Sequence, residues 1–235
     1  MNNNTKRFVA IVGIGLALMM PINRGFGDDN SEFFAKLSAE WWQWALSIPA
    51  SVNPQLDITN GRNAVVGQRG PVWFLAGIFD PLDNGRTATR TCSVPKGTAL
   101  FFPVINGVGI NTPGVCGSSQ ESVSQLRRDA ALQIAGAANL SVTVDGLAIR
   151  IPPRVQSTVF AVALPEDNVF NSPLICGPGS VPAGVYSPAA GDGFYVLLGP
   201  LSVGNHTLHF HAEQPAGTTN QDVTYNLTVV KVLLK

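Results

Sequence analysis

The sequence predicts a mainly β protein: an antiparallel β-sandwich or jelly roll with an N-terminal helix and one further helix. Three observations lead there. Short apolar or alternating runs recur along the chain, punctuated by 24 Gly and 17 Pro, the pattern of many strands joined by turns. Only two segments carry apolar residues at helical spacing. Charged residues make up 13% of the 235 residues, against roughly 25% in an average globular chain.

The same composition excludes some classes. A chain that is 45% hydrophobic with a formal net charge of zero is not intrinsically disordered, which requires low hydrophobicity and high net charge. It also lacks the excess of Lys and Arg that phosphate recognition demands, so no nucleic-acid partner is expected.

The N-terminus reads as an export signal. Lys6 and Arg7 precede an uncharged run from Phe8 to Met20, and Pro21, Arg24 and the small-residue pattern Gly25-Phe26-Gly27 follow. A basic start, an apolar stretch of about 7–15 residues and small residues at the cut describe a secretory signal peptide. Residues 1–27 are therefore expected to be removed, and 28–235 to form a single β-rich domain of about 208 residues, a size that suits one domain. Removal would take away Lys6, Arg7 and Arg24, leaving 12 Lys and Arg against 15 Asp and Glu. The apolar run is shorter than the roughly 20 residues that span a bilayer, so a secreted or periplasmic protein, not an integral membrane one, is expected after cleavage.

The domain should open with a helix. Asp29 and Glu32 have N-capping spacing, Phe34, Leu37, Trp41, Trp44 and Ile48 fall on one face, and Pro49 stops the run. Trp42 points away from that stripe. An exposed Trp42 would offer a stacking surface for a ligand such as a glycan; packing of the helix on a sheet would bury it instead.

Strands are expected at Val72–Gly77 and Thr98–Val104, the first preceded by Gly70-Pro71. Asp83-Asn84-Gly85 marks a turn. A second helix is expected over about 119–138, with Ser118 and Glu121 in capping-box spacing and Val123, Leu126, Ala130 and Ile134 on one face. Asp145-Gly146 between two alternating runs, Ser141–Val144 and Leu147–Arg150, is a hairpin signal. Further strands are expected at Thr158–Leu164, Phe194–Leu198, Thr207–Glu213 and Val223–Val232, with a long Pro/Gly loop before Asp192.

All three histidines fall in Asn205-His206-Thr207-Leu208-His209-Phe210-His211-Ala212-Glu213. Strand alternation puts His209, His211 and Glu213 on one face, about 6.6 Å apart, and His206 on the other. A His-His-carboxylate set suits a transition metal such as iron, copper, zinc or manganese. The competing reading is the solvated face of an antiparallel sheet, because the next strand places Thr224, Asn226 and Thr228 on one side. No Gly-x-Ser-x-Gly elbow, His-Glu-x-x-His, Walker loop or dinucleotide glycine pattern is present. The only bases for a hydrolytic triad are the clustered histidines.

Export would place Cys92, Cys116 and Cys176 in an oxidising compartment, where disulfides persist. Three cysteines allow any of three single bridges. Cys116 and Cys176 lie in Gly/Pro-rich loops, which favours Cys116–Cys176 with Cys92 free and buried in a strand.

The segments Trp41-Trp-Gln-Trp-Ala-Leu-Ser-Ile-Pro49, Gly67-Gln-Arg-Gly-Pro-Val-Trp-Phe-Leu-Ala-Gly77, Leu100-Phe-Phe-Pro-Val-Ile-Asn106 and Asp222-Val-Thr-Tyr-Asn-Leu-Thr-Val229 resemble a family of signal-peptide-bearing secreted bacterial proteins. The resemblance spans most of the chain after residue 27. It implies export and a bacterial source, and it brings no activity, substrate or cofactor. Members of that family often carry a Cys shortly before the Gly-Gln-x-Gly-Pro-Val-Trp segment; here Asn63 and Ala64 stand there, which would leave Cys92 unpaired. Members also often lack a histidine at the position of His211.

The sequence thus supports two expectations: a secreted binding protein for a ligand, a glycan or the cell envelope, or an extracytoplasmic metalloprotein using His209, His211 and Glu213.

Overall fold

The computed structural model describes residues 28–79, 87–171, 181–214 and 220–231. The expected signal peptide, the Asp83-Asn84-Gly85 turn, Cys176 and Val232 lie outside the described residues. Helix α1 (Asp28–Ser47) is followed by strands β1 (Val72–Phe74), β2 (Ala88–Pro95) and β3 (Ala99–Ile110), helix α2 (Val123–Leu132), then β4 (Ala138–Val144), β5 (Leu147–Ala148), β6 (Val155–Gln156), β7 (Phe160–Leu164), β8 (Gly184–Leu198), β9 (Gly204–Glu213) and β10 (Gln221–Val230).

The strands form two sheets. One runs β1-β3-β8-β6 with β7 also paired to β8, and the other runs β2-β10-β9-β4-β5. Most pairs are antiparallel, as the sequence predicts. Two are parallel: β1 with β3 and β2 with β10. The β-sandwich expectation holds, with helix α1 added as a third layer.

The layering follows from alternation. In β3, Leu100, Phe102 and Val104 face the second sheet, where they join Leu208, Phe210, Val223 and Tyr225 in one core. Phe102 stacks on Phe210 at 5.1 Å between ring centroids. The intervening Phe101 faces the helix and joins Trp41, Trp44, Leu46 and Tyr195 in a second core, stacking on Tyr195 at 5.3 Å and 7°. Because both faces of β3 are covered, the strand is a continuous apolar run. Helix α1 ends at Ser47, two residues before Pro49, whose ring disfavours helical geometry in the residue before it.

The second helix is shorter than the sequence predicts and is capped differently. Ser122 accepts from the Gln125 N–H at 3.3 Å while the Gln125 side chain accepts from the Ser122 N–H at 2.8 Å, a capping box. Ser118 instead donates its hydroxyl to the Thr112 carbonyl. Helix α2 lies directly on β3: a Cβ on Gly107 would stand 2.5 Å from the Ala130 carbonyl, and one on Gly109 would collide with the Leu126 carbonyl.

Strand β8 is much longer than the Phe194–Leu198 run predicts. Its first half, Gly184 to Gly193, contains Pro188 and a small-residue stretch, Ala189-Ala190-Gly191, that carries no strand signal. Small residues are required there: a Cβ on Gly191 would sit 2.5 Å from the Trp42 Nε1. The Asp145-Gly146 hairpin forms as predicted, with φ of 51° and 78° at its two turn residues, the left-handed pair of a type I′ turn.

Candidate functional site

A cavity of about 690 Å³ opens between α1, the free edge of β3 and the segments around 77–79 and 112–118. Its apolar wall comes from Trp41, Trp42, Ile78, Phe79, Val104, Val108, Ile110, Leu164, Phe170 and Val181. Alternation along β3 explains part of this wall. Asn106, Val108 and Ile110 point to the opening as half-buried residues, while Gly107 and Gly109 face α2.

Four glutamines supply most of the polarity, and three of them hold backbone. Past β1, the edge of β3 has no strand neighbour among the described residues, and Gln133 covers it: its Oε1 accepts from the Val108 N–H at 3.0 Å, and its Nε2 donates to the Val108 carbonyl at 2.8 Å. Gln221 treats Ile78 the same way, at 2.7 and 3.0 Å. Gln214 donates to the Gln133 carbonyl. Gln55 differs. It is 5% exposed and lines the cavity, and its Nε2 has no hydrogen-bond partner. No spacing pattern announces these glutamines in the sequence, because each finds its backbone partner across the fold.

Trp42 is 6% exposed, which overturns the exposed stacking platform. Its ring packs edge-on against Trp41 at 4.9 Å and covers Gly191 of β8. The side of the helix away from the Trp41–Trp44 stripe is buried at Trp42 because β8 comes close enough to cover it. Trp42 nevertheless borders the cavity from inside. Beneath it, complete burial pushes the Tyr195 phenol well above its ordinary pKa, against the hydrogen bond from Asn106.

The histidine strand follows the predicted alternation: Leu208, Phe210 and Ala212 are buried, while His209, His211 and Glu213 share the outer face. Each imidazole there has its own carboxylate. His209 Nε2 lies 2.8 Å from Asp222 Oδ1, and His211 Nε2 lies 3.4 Å from Glu213 Oε1. Glu213 also accepts from Asn139 at 2.6 Å. Among the described residues no three His, Cys, Asp or Glu side chains are grouped to hold an ion. In register, His209 sits opposite Thr224 and Thr143 on the flanking strands, and Thr89 continues the row on β2, with Thr91 beside Asn226 and Thr207 in the next row of that face. The face is a hydroxyl-rich outer surface of the second sheet.

His206 lies elsewhere, and its neighbours have the order of a catalytic triad. Nδ1 is 2.7 Å from Asp145 Oδ2; Nε2 is 3.2 Å from Ser202 Oγ and 2.9 Å from the Ser202 carbonyl oxygen. A carbonyl oxygen only accepts, so Nε2 carries a hydrogen, and the carboxylate holds another on Nδ1. Accordingly, the hydrogen bond to Asp145 raises the His206 pKa despite partial burial, and the same bond, with one from the Thr207 N–H, lowers that of Asp145. A general base needs a free lone pair on the nitrogen facing the serine. This imidazolium has none, and it clamps the β4–β5 turn to the start of β9.

Cys92 is a free, buried thiol on β2, and Cys116 is disulfide-bonded. The partner expected for Cys116, Cys176, lies outside the described residues. Cys116 lines the cavity in a left-handed conformation, φ 51°. On the opposite flank, Arg154 donates to the buried Asp192 at 2.6 Å, tying the segment before β6 to β8. No helix among the described residues is long and apolar enough to cross a membrane.

No protein-family profile and no curated protein matches the chain. A solved structure titled "Solution Structure of Amebosin" aligns at 14% identity over 61% of this chain and 96% of that one, with a TM-score of 0.19. At that score the likeness carries no argument about fold or activity.

Proposed function

We propose that this chain is an exported binding protein that holds a small molecule in the cavity between α1 and the free edge of β3. The cavity itself carries the reading. At about 690 Å³ it falls within the roughly 300–1,000 Å³ of small-molecule sites, which combine an apolar lining with a few convergent polar groups. Here the apolar part is Trp, Phe, Ile and Val, and the polar part is Asn106 with Gln55, Gln133, Gln214 and Gln221. The basic-apolar-small pattern of residues 1–27 supports export. A glycan platform at Trp42 is not part of this reading, because the ring is buried. Nor is a metal at His209, His211 and Glu213, whose imidazoles are each bonded to a different carboxylate.

The test is titration of the purified protein, residues 28–235, with the neutral dye N-phenyl-1-naphthylamine. Saturable one-to-one binding is expected, with quenching of tryptophan emission, since Trp41 and Trp42 form part of the wall. Val108→Phe, which adds a ring to a half-buried wall position, should weaken it at least tenfold. Absence of saturable binding, or a folded Val108→Phe protein that binds equally well, would overturn the proposal.

A further inference from the structure

We infer that the cavity selects an uncharged ligand, one that presents a hydrogen-bond acceptor such as a carbonyl or ether oxygen to the amide of Gln55; the inference rests on the binding reading above. Among the described residues that line the cavity there is no Asp, Glu, Lys, Arg or His. An ion entering such a wall would lose its hydration and meet no counter-charge among these residues, and that cost keeps unpaired charges out of protein interiors. A neutral apolar molecule loses nothing comparable and gains burial.

The cation that is buried near the site among the described residues, Arg90, does not alter this. Arg90 is fully buried behind the wall, and its donors are committed to neutral acceptors. Nε donates to the Asp57 carbonyl at 2.7 Å, Nη1 to the Ala76 carbonyl and the Tyr225 hydroxyl, and Nη2 to the Gly77 carbonyl at 3.0 Å. The guanidinium therefore holds the segment that carries the wall residues Gly77 and Ile78, without lining the cavity itself.

Polar selectivity falls to what the wall has not already used. The amides of Gln133 and Gln221 are closed on the backbones of Val108 and Ile78, so a ligand could engage them only by breaking wall structure. Two wall residues carry a buried donor with no acceptor, Trp42 Nε1 and Gln55 Nε2; the indole nitrogen is packed over Gly191 of β8, which leaves the Gln55 amide for a ligand. A buried donor left unpaired is costly, and a ligand oxygen within reach would relieve that cost. A ligand without an acceptor would leave the donor as it is. The site should therefore separate compounds of equal size first by charge and then by acceptor.

The experiment is competition against bound N-phenyl-1-naphthylamine by four compounds of one ring system: naphthalene, 2-acetylnaphthalene, 2-naphthoate and 2-naphthylmethylammonium, at pH 7.5. The two neutral compounds should displace the dye at concentrations at least tenfold below the two ions. Among the neutral pair, 2-acetylnaphthalene should compete several-fold better than naphthalene, and that advantage should vanish in Gln55→Leu while naphthalene competes as before. If either ion competes within tenfold of the neutral compounds, selection of uncharged ligands is wrong although the cavity still binds the dye. If acetyl and unsubstituted compounds compete equally in the wild-type protein, the acceptor role of Gln55 is wrong. Failure of the dye to bind at all overturns the binding reading itself. The four-compound ranking needs only wild-type protein, so selection by charge and selection by acceptor can each be overturned even if Gln55→Leu fails to fold.

Discussion

Arg90 and Tyr225 meet inside the sandwich: the guanidinium Nη1 donates to the phenolic oxygen at 2.8 Å, and its carbon lies 5.4 Å from the ring centroid. Neither residue has an acidic partner in this contact. The same hydroxyl donates to the Ala76 carbonyl at 2.9 Å and accepts from the Ala76 N–H at 3.0 Å. Two side chains on neighbouring parallel strands thus replace the strand that would otherwise satisfy residues 76 and 77. Asp57, which offers Arg90 its carbonyl, belongs to a loop organised by its own carboxylate. Burial opposes the charge there, but N–H groups of Asn63, Asn60 and Thr59 outweigh it and hold the pKa down at about 2.

Removing either partner should therefore cost stability out of proportion to the atoms lost. Tyr225→Phe orphans the Ala76 N–H and one guanidinium donor, and a buried unsatisfied group costs about 1–3 kcal/mol. Arg90→Ala strands the carbonyls of Asp57 and Gly77, leaves that of Ala76 to the Tyr225 hydroxyl alone, and opens a void, so a loss of roughly 3 kcal/mol or more is expected. Urea unfolding of the two variants measures both. A Tyr225→Phe protein as stable as wild type would show that the hydroxyl is not holding residue 76.

The His206–Asp145 clamp makes stability depend on pH with a definite sign. The folded pKa of His206 is raised above its ordinary value of 6.5, so its contribution is complete below that value and is lost as pH rises through the folded pKa. The Asp145 value is lowered from 3.8, so its contribution is present above 3.8 and is lost as pH falls. Between pH 6 and 9, the urea midpoint of the wild-type protein should fall relative to that of His206→Asn. A difference that grows with rising pH would mean the imidazole is neutral in the folded protein.

The approach of α2 to β3 leaves no room for a methyl group. A Cβ at Gly109 would meet the Leu126 backbone, with its Cα 2.8 Å away, and backbone cannot swing aside as a side chain can. Gly109→Ala should destabilise by about 1–3 kcal/mol, the usual cost of overpacking. Gly199→Ala is the control, since nothing lies within 4 Å of its Cβ position; it should stay within about 0.5 kcal/mol of wild type. Equal stability of the two variants would remove the steric account.

What could be anticipated from the sequence depended on how local the cause was. The Asp145-Gly146 hairpin is written in two adjacent residues, and the faces of β9 and β10 are written in simple alternation from Leu208 to Ala212 and from Val223 to Val229. The burial of Trp42 is not local: it depends on Gly191, which lies 149 positions away and is small because the indole needs the space. The first half of β8 was invisible for the same reason, its Ala and Gly residues being chosen by what packs on them. The cavity wall is the extreme case. Trp42, Gln55, Ile78, Val108 and Gln221 come from five separate segments, and an amide closing on a distant backbone has no spacing signature.

Cys92 gives a chemical test of the second sheet's core. Its thiol is 7% exposed on β2, and burial pushes its pKa up to about 12 despite the opposing charge of Arg90. The thiolate is the reactive form, so both access and ionisation protect the sulfur. In the folded protein at pH 8, 5,5′-dithiobis(2-nitrobenzoate) should leave Cys92 unmodified. In denaturant without reductant the same residue should react fully, because Cys116 is held in its disulfide while Cys92 is not. The signal should disappear in Cys92→Ala, a change that leaves a small void beside Tyr225 and Leu227 and should lower the urea midpoint slightly. Rapid labelling of the native wild-type protein would mean that β2, an edge strand covered by residues 57–65, opens far more readily than its contacts with β10 allow.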